Sequence, residues 1–214
     1  MPKPIKFEYE KKAPFRDAFY FIIICEGKSR EPDYFRFFVD ISSRVKIVPV
    51  ESSNDGSSPE KLIGLANTEI RKLDATAGKD RIWFVIDTDR WRKQIRTLRR
   101  ATATRPQWKV AQSNPCFEVW LYYHARSVPP EGDPKSCGKW KPLLPKVIKG
   151  GFNPDFHPAA IETAIENAKK NYAEEGDLPI TGATQAWFLA EDLLPLIKKD
   201  LDMIKDKFPP PATP

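Results

Sequence analysis

Acidic side chains follow two strongly apolar segments of the sequence. Glu26 comes directly after residues 19–25, and Asp87 and Asp89 follow residues 81–86. In an Asp-x-Asp pair that leaves a strand, side chains two residues apart point the same way, so both carboxylates can reach one cation. Mg²⁺ prefers carboxylate oxygen, with water and substrate phosphate completing its shell. Such a site serves phosphoryl transfer, in which Glu26 can hold a second ion or move a proton.

The composition leaves metal chemistry to carboxylates. The chain has 2 histidines and 3 cysteines, and the cysteines form no C-x-x-C pair. A histidine-rich site or a structural zinc is therefore hard to build, and disulfides are not expected. An acid that follows a strand can also be a helix cap or a turn residue, which is the alternative interpretation of the same pattern.

The elements that must position these acids alternate along the chain. Apolar runs predict strands, and periodic apolar residues between them predict helices. The predicted strands are residues 19–25, 45–50, 81–86 and 108–111, and the predicted helices begin at residue 31 and cover 59–73, 93–103 and 116–124. This alternation predicts an α/β fold with a central parallel sheet, Rossmann-like, covered by helices on both faces. The carboxyl ends of its strands form the ligand crevice, where the acids would converge.

The predicted domain organisation is one α/β core, residues 17–127, followed by an extension, residues 128–214. The extension begins with a Pro/Gly/Lys-rich loop and continues with helices at 158–175 and 184–207, and we expect it to pack on the same core. The longest apolar run, residues 18–25, is far shorter than the roughly 20 residues that cross a bilayer. We therefore expect a cytoplasmic protein without membrane contact.

Basic residues are concentrated in two segments. The net charge is +6, yet residues 90–109 hold eight Lys/Arg and no acid, and residues 134–149 hold five and no acid. This distribution is typical of a phosphate-binding surface, although a solvated helix face gives the same pattern. The candidate nucleic-acid-binding residues on the predicted helix lie on adjacent turns, and two further cations flank the acids; they are Arg92, Arg96, Arg99, Arg100, Lys28 and Arg30.

The order strand-Glu-Gly, a second β-α unit, then strand-Asp-x-Asp resembles the Toprim domain of topoisomerases, primases and overcoming-lysogenization-type nucleases. Two segments, CEGKSREPDYF at 25–35 and SNPCFEVWLYYH at 113–124, resemble the RloB-like branch more specifically. The resemblance implies a Toprim-like fold, bound Mg²⁺ or Mn²⁺, and a role in prokaryotic phage defence beside an ABC-type ATPase. It makes Glu26 the general acid/base and Asp87 and Asp89 the metal ligands.

Two residues of the second segment have a further interpretation. Glu118 lies in the first turn of its helix, where its charge favours the helix dipole, and the same place can add a catalytic carboxylate to the cluster. Both interpretations stay open on the sequence. His124 is predicted to be structural and satisfied by a hydrogen bond.

Three functions are compatible with these residues. The leading hypothesis is a Mg²⁺-dependent nuclease that hydrolyses phosphodiester bonds in RNA, such as tRNA, or in DNA, as a defence effector working with a partner ATPase. A catalytically silent or sensor subunit that binds the ATPase or nucleic acid is the first alternative. An Asp-x-Asp nucleotide-sugar glycosyltransferase is the second, but it leaves Glu26-Gly27 and the Ser113-Asn114-Pro115 turn unexplained. A homodimer is compatible with the sequence.

Overall fold

Four parallel strands form the centre of the fold. The computed structural model describes residues 18–52, 58–75, 78–88 and 94–208. The strands are β1 (Phe19–Cys25), β2 (Val45–Val50), β3 (Arg81–Asp87) and β4 (Trp108–Ser113), in the sheet order β2-β1-β3-β4. β3 extends one residue beyond the predicted strand, because Asp87 still pairs with Ser113 of β4. The parallel α/β architecture that the sequence predicts is confirmed.

Helices connect the strands and build the extension. They are α1 (Arg30–Arg36), α2 (Pro59–Leu73), α3 (Ile95–Ala103), α4 (Glu118–Tyr123), α5 (Cys137–Trp140), α6 (Leu144–Val147), α7 (Ile161–Lys170) and α8 (Ala186–Asp202). Short 3-10 turns lie at Lys141–Leu143, His157–Ala160 and Lys205–Lys207. The helix predicted over 158–175 ends at Lys170, because the chain then folds into a small antiparallel pair, β5 (Glu174–Glu175) with β6 (Leu178–Pro179).

Both faces of the sheet are buried. Along β1, Ile22 and Ile24 pack with α2 and α3 on one face, whereas Phe21, Ile23 and Cys25 pack with α1, α4, α7 and α8 on the other. An uninterrupted apolar strand is stable in such a position, because alternate side chains both find a core. This explains why the strand segments show no polar alternation.

The extension contributes to one of these two cores. Leu189, Leu193 and Ile197 of α8 belong to the same buried cluster as Phe21 and Ile23 of β1. The position of a domain boundary near residue 127 stays a prediction.

Within the described residues, no helix has the length and apolarity that a membrane crossing requires. The three cysteines lie within the described residues and form no disulfide.

Asp192 of α8 fastens the extension to the sheet. Its carboxylate accepts hydrogen bonds from Arg81, from Trp83 Nε1 at 3.0 Å and from Lys109 Nζ at 3.2 Å. Arg81 also donates to the Asp192 carbonyl at 3.1 Å. Hydrogen bonds to an ionised acceptor are stronger than neutral ones, and here three donors from two adjacent strands converge on one side chain.

We expect Asp192→Asn to destabilise the protein by about 2 kcal/mol, because the charged acceptor of these bonds is lost. Urea unfolding at neutral pH measures this change. Glu191→Gln is the matched control on the same helix, since Glu191 makes a surface ion pair with Lys169 and should cost less than about 1 kcal/mol. Equal costs for the two variants would contradict the role assigned to Asp192.

Candidate functional site

The strand order creates a crevice between β1 and β3. From β1 the chain crosses through α1 to β2, and it then returns through α2 to β3 on the other side of β1. Because α1 and α2 lie on opposite faces, the connections diverge between β1 and β3. In open α/β sheets, ligands bind at such a switch point, outside the carboxyl ends of the strands.

Glu26 and Asp87 meet at this switch point. Glu26 directly follows β1 and is buried, and its Oε2 accepts a hydrogen bond from the Asp87 backbone N–H at 2.8 Å. Asp87 ends β3, and its Oδ1 accepts a hydrogen bond from the Phe117 backbone N–H at 2.9 Å. These bonds connect three chain segments and fix both carboxylates at the sheet edge.

Glu31 is a third carboxylate of the site, one that the sequence pattern alone did not indicate. It lies in the first turn of α1 and is 5% exposed. Its carboxyl group folds back over Gly27, where a Cβ would collide with the Glu31 side chain. A side chain at position 27 would therefore force the Glu31 carboxyl group to move from this position. The spacing of Glu31 after the strand-Glu-Gly motif is the sequence signal that could have indicated it.

Glu118 is a fourth carboxylate of the site. It begins α4, is 4% exposed, and lies 3.8 Å from the Arg30 guanidinium, measured from Glu118 Oε1 to Arg30 Nε. The charge of Glu118 acts on both Glu31 and Asp87. The structure thus brings Glu118 to the acid cluster as well as to a helix N-terminus.

The clustering of acids changes their protonation. The pKa of Glu31 is raised to about 7, mainly by burial and then by the charges of Glu26 and Glu118, against the lowering effects of its own backbone N–H and of Arg30. Removal from solvent also raises the pKa of Asp87 well above its usual range, with Glu31 and Glu26 as the next causes. Like charges in a dry site disfavour simultaneous ionisation. The cluster therefore favours whatever neutralises it, a proton or a cation.

The donor set has the chemistry that a hard divalent cation requires. Carboxylate oxygens on β1, α1, β3 and α4 line one crevice, and Mg²⁺ binds oxygen ligands. Among the residues that the structure describes, no three His, Cys, Asp or Glu side chains are arranged to hold a single ion. Asp89, the second acid of the Asp-x-Asp pair, lies outside the described residues.

The cations predicted to bind nucleic acid fall into different environments. Lys28 and Arg30 are exposed beside the acid cluster, and Arg96 and Arg100 are exposed on α3. Arg99 differs, because its guanidinium donates to the Gln112 and Gln185 side chains at 2.8 and 2.9 Å. Arg99 is therefore partly buried at the end of β4, whereas Arg96 and Arg100 face solvent, and a contact of Arg99 with nucleic acid stays a prediction. Arg92 lies outside the described residues.

His124 has the structural role that the sequence predicts. Its Nδ1 donates to the Trp120 carbonyl and its Nε2 accepts from the Tyr34 hydroxyl, each at 3.1 Å. Burial lowers the pKa of His124 to about 3, so the ring is neutral at physiological pH.

The fold and the acid cluster define an α/β protein with a carboxylate-lined crevice at the switch point of its parallel sheet. The family described as RloB-like protein matches residues 21–193. The chain belongs to this family, which confirms the resemblance seen in residues 25–35 and 113–124. No curated protein and no solved structure matched the chain.

We expect Glu31→Gln to stabilise the metal-free protein at pH 8. The folded-state pKa of Glu31 is raised to about 7, so its carboxyl group contributes stability below its ordinary pKa of 4.5 and loses that contribution as the pH rises through 7. Glutamine does not titrate, so the variant should gain on the order of 2–3 kcal/mol at pH 8 and nothing at pH 4.

Urea unfolding in EDTA across this pH range measures the difference. Glu166→Gln, an exposed acid on α7, is the control and should show no comparable gain. A pH-independent difference between Glu31→Gln and the parent protein would contradict the raised pKa of Glu31.

Proposed function

We propose that the protein is a divalent-metal-dependent nuclease that hydrolyses phosphodiester bonds in RNA or DNA. The observation that carries this proposal is the set of four carboxylates at the switch point, three of them buried: Glu26, Glu31, Asp87 and Glu118. A buried acid cluster costs free energy in the absence of a neutralising partner, so a purely structural role accounts for it poorly.

Each acid would have a definable task. Asp87, together with Asp89, would hold Mg²⁺ or Mn²⁺, and Glu31 and Glu118 would add oxygen donors near them. A bound cation of this kind stabilises charge on the phosphoryl group and makes water more acidic. Glu26 would move a proton, the role that the resemblance to Toprim domains implies.

Exposed cations near the crevice would hold the nucleic-acid backbone. Arg30, the first residue of α1, lies beside Glu118, and Lys28 lies on the loop between β1 and α1. Arg96 and Arg100 are two further exposed cations, on α3. Contacts of this kind position phosphates without reading sequence, so they are compatible with either RNA or DNA.

The biological setting belongs to the proposal as well. Membership in the RloB-like family supports a role in prokaryotic phage defence, with a neighbouring ABC-type ATPase as the partner. A binding or sensor subunit without catalysis is the second candidate. It is favoured by the hydrogen bonds that Glu26 and Asp87 make to backbone N–H groups, which are also typical of acids that stabilise turns.

The first test separates catalysis from binding. Asp87→Asn combined with Asp89→Asn should weaken Mn²⁺ binding sharply and abolish cleavage, because amides replace the charged metal ligands. Glu26→Gln should retain most of the metal affinity and lose activity by about 10²–10⁴-fold, the usual contribution of a general acid/base. Calorimetric Mn²⁺ titration beside cleavage of tRNA, plasmid and single-stranded DNA measures both effects.

The controls for this test are Glu166→Gln, which changes the charge by one unit as Glu26→Gln does, and Glu166→Gln with Glu191→Gln, which matches the double variant; these residues lie on α7 and α8. Each variant is checked for an unchanged urea midpoint in EDTA, or for an increase, which loss of a buried charge predicts. Full cleavage by a folded Asp87→Asn/Asp89→Asn protein would falsify the metal-nuclease mechanism and favour the binding subunit.

A second test concerns the basic surface. Reversing the charge of Arg96 and Arg100 to Glu should weaken nucleic-acid binding and reduce its salt dependence, because each lost phosphate contact removes about 0.9 from the slope of log K against log salt on duplex DNA. Fluorescence anisotropy with labelled duplex at several salt concentrations measures this slope.

The matched control is Lys170→Glu with Lys199→Glu. It changes the net charge by the same amount, but these exposed residues lie on α7 and α8, which cover the opposite face of the sheet. If both double variants lower affinity equally, the effect is one of net charge and α3 is not a binding surface.

A further inference from the structure

The hydroxyl and the backbone N–H of Thr88 both form hydrogen bonds to the end of β4 or to the turn that follows it. It follows Asp87 directly, precedes Asp89 and is 5% exposed. Its hydroxyl donates to the Ser113 carbonyl at 2.8 Å and accepts from Gln112 Nε2 at 2.7 Å. Its backbone N–H donates to the Pro115 carbonyl at 3.1 Å. The residue between the two acids of the motif is thus held by side-chain and backbone bonds to β4 and the turn that follows.

Gln112 also forms a hydrogen bond to α3, the helix that bears the arginines. It is fully buried, and its Oε1 accepts a hydrogen bond from Arg99 at 2.8 Å. The same Arg99 nitrogen donates to Gln185 Oε1 at 2.9 Å, and the Gln185 backbone N–H donates to the Gln112 carbonyl at 2.7 Å. Thr88, Gln112 and Arg99 therefore form one continuous hydrogen-bonded chain from the end of β3 to α3.

The burial of Arg99 indicates that its guanidinium orients the Gln112 and Gln185 side chains. Its guanidinium is largely buried, with a side-chain exposure of 20%, and burial lowers its pKa. Arg96 and Arg100 on the same helix point to solvent. The two N–H bonds of this guanidinium nitrogen lie in a fixed plane and hold two amide oxygens in fixed directions, whereas a lysine ammonium rotates freely. Buried networks of this kind restrict the conformations of their members when the hydrogen bonds are made.

We infer that Gln112 and Arg99 are positioning residues for Asp87 at the end of β3, acting through Thr88. They hold the Asp87 carboxylate in place without contacting substrate or metal, and they join the end of β3 to the helix that bears Arg96 and Arg100. The inference rests on the proposed function only in taking Asp87 to be a ligand of the cation.

Four substitutions separate the individual bonds. Thr88→Val keeps the volume and removes the hydroxyl, whereas Thr88→Ser keeps the hydroxyl and serves as the rescue. Gln112→Glu still accepts from Arg99 but no longer donates to Thr88. Arg99→Lys replaces the planar guanidinium by a freely rotating ammonium, and Arg100→Lys is the exposed control on the same helix.

The first measurement does not require a metal. Amide hydrogen exchange in EDTA should increase about 10-fold at the Asp87 and Phe117 N–H groups in Thr88→Val, in Gln112→Glu and in Arg99→Lys, because these N–H groups anchor the two carboxylates. Thr88→Ser and Arg100→Lys should exchange as the parent protein does. Amides in the centre of α7 should be unchanged in every variant, which distinguishes local positioning from general loss of stability.

The second measurement is calorimetric Mn²⁺ titration of the intact chain. The three positioning variants should bind Mn²⁺ about 10-fold more weakly than the parent protein, and the two controls should bind within about 2-fold, since loss of one buried hydrogen bond corresponds to roughly one factor of ten. Binding of labelled duplex in EDTA should be unchanged for Thr88→Val and Gln112→Glu, because Arg96 and Arg100 stay in place.

The two measurements distinguish the failures. If the parent protein binds no Mn²⁺ but exchange increases at Asp87 and Phe117 as stated, the proposed function is wrong and the positioning network stands. If exchange at these N–H groups is unchanged in folded Thr88→Val and Gln112→Glu proteins, the inference is overturned, whatever the metal affinity.

Discussion

The rest of the site depends on the pairing of β1 with β3. This pairing allows the Asp87 backbone N–H to donate a hydrogen bond to Glu26 Oε2. Both strands end at the same edge of the sheet, and the helices that follow them, α1 and α3, lie on opposite faces. Acids that are 61 residues apart in sequence thereby share one crevice. Glu31 and Glu118 join them because the helices that follow β1 and β4 begin at this same edge.

Bringing these acids together opposes stability. Burial and mutual repulsion raise the pKa of Glu31 to about 7 and also raise the pKa of Asp87, so the folded protein disfavours the charged forms that exposed carboxylates adopt at neutral pH. The large apolar clusters on both faces of the sheet, and the attachment of α8 through Asp192, offset this cost. A site that destabilises its own fold is typical of functional residues.

The arginines of α3 illustrate why charge counting needs the structure. Arg96, Arg99 and Arg100 are equivalent members of a basic segment in the sequence, yet Arg99 turns inward to Gln112 and Gln185 while its neighbours face solvent. The helix buries Ile95 and Leu98, and Arg99, next to Leu98, reaches the polar groups at the end of β4. Helix α3 thus has both exposed arginines and a buried hydrogen-bonded connection to Thr88 at the end of β3.

The sequence by itself determined the elements and two of the acids. Apolar runs and helical periodicity are local signals, so the four strands, the helices between them, Glu26 and Asp87 at strand ends and the family resemblance could be predicted from neighbouring residues. Only the tertiary structure decided the strand order, the return of Glu31 over Gly27, the place of Glu118 in the cluster and the inward direction of Arg99. These depend on contacts between distant segments, and local periodicity contains no information about which strand pairs with which.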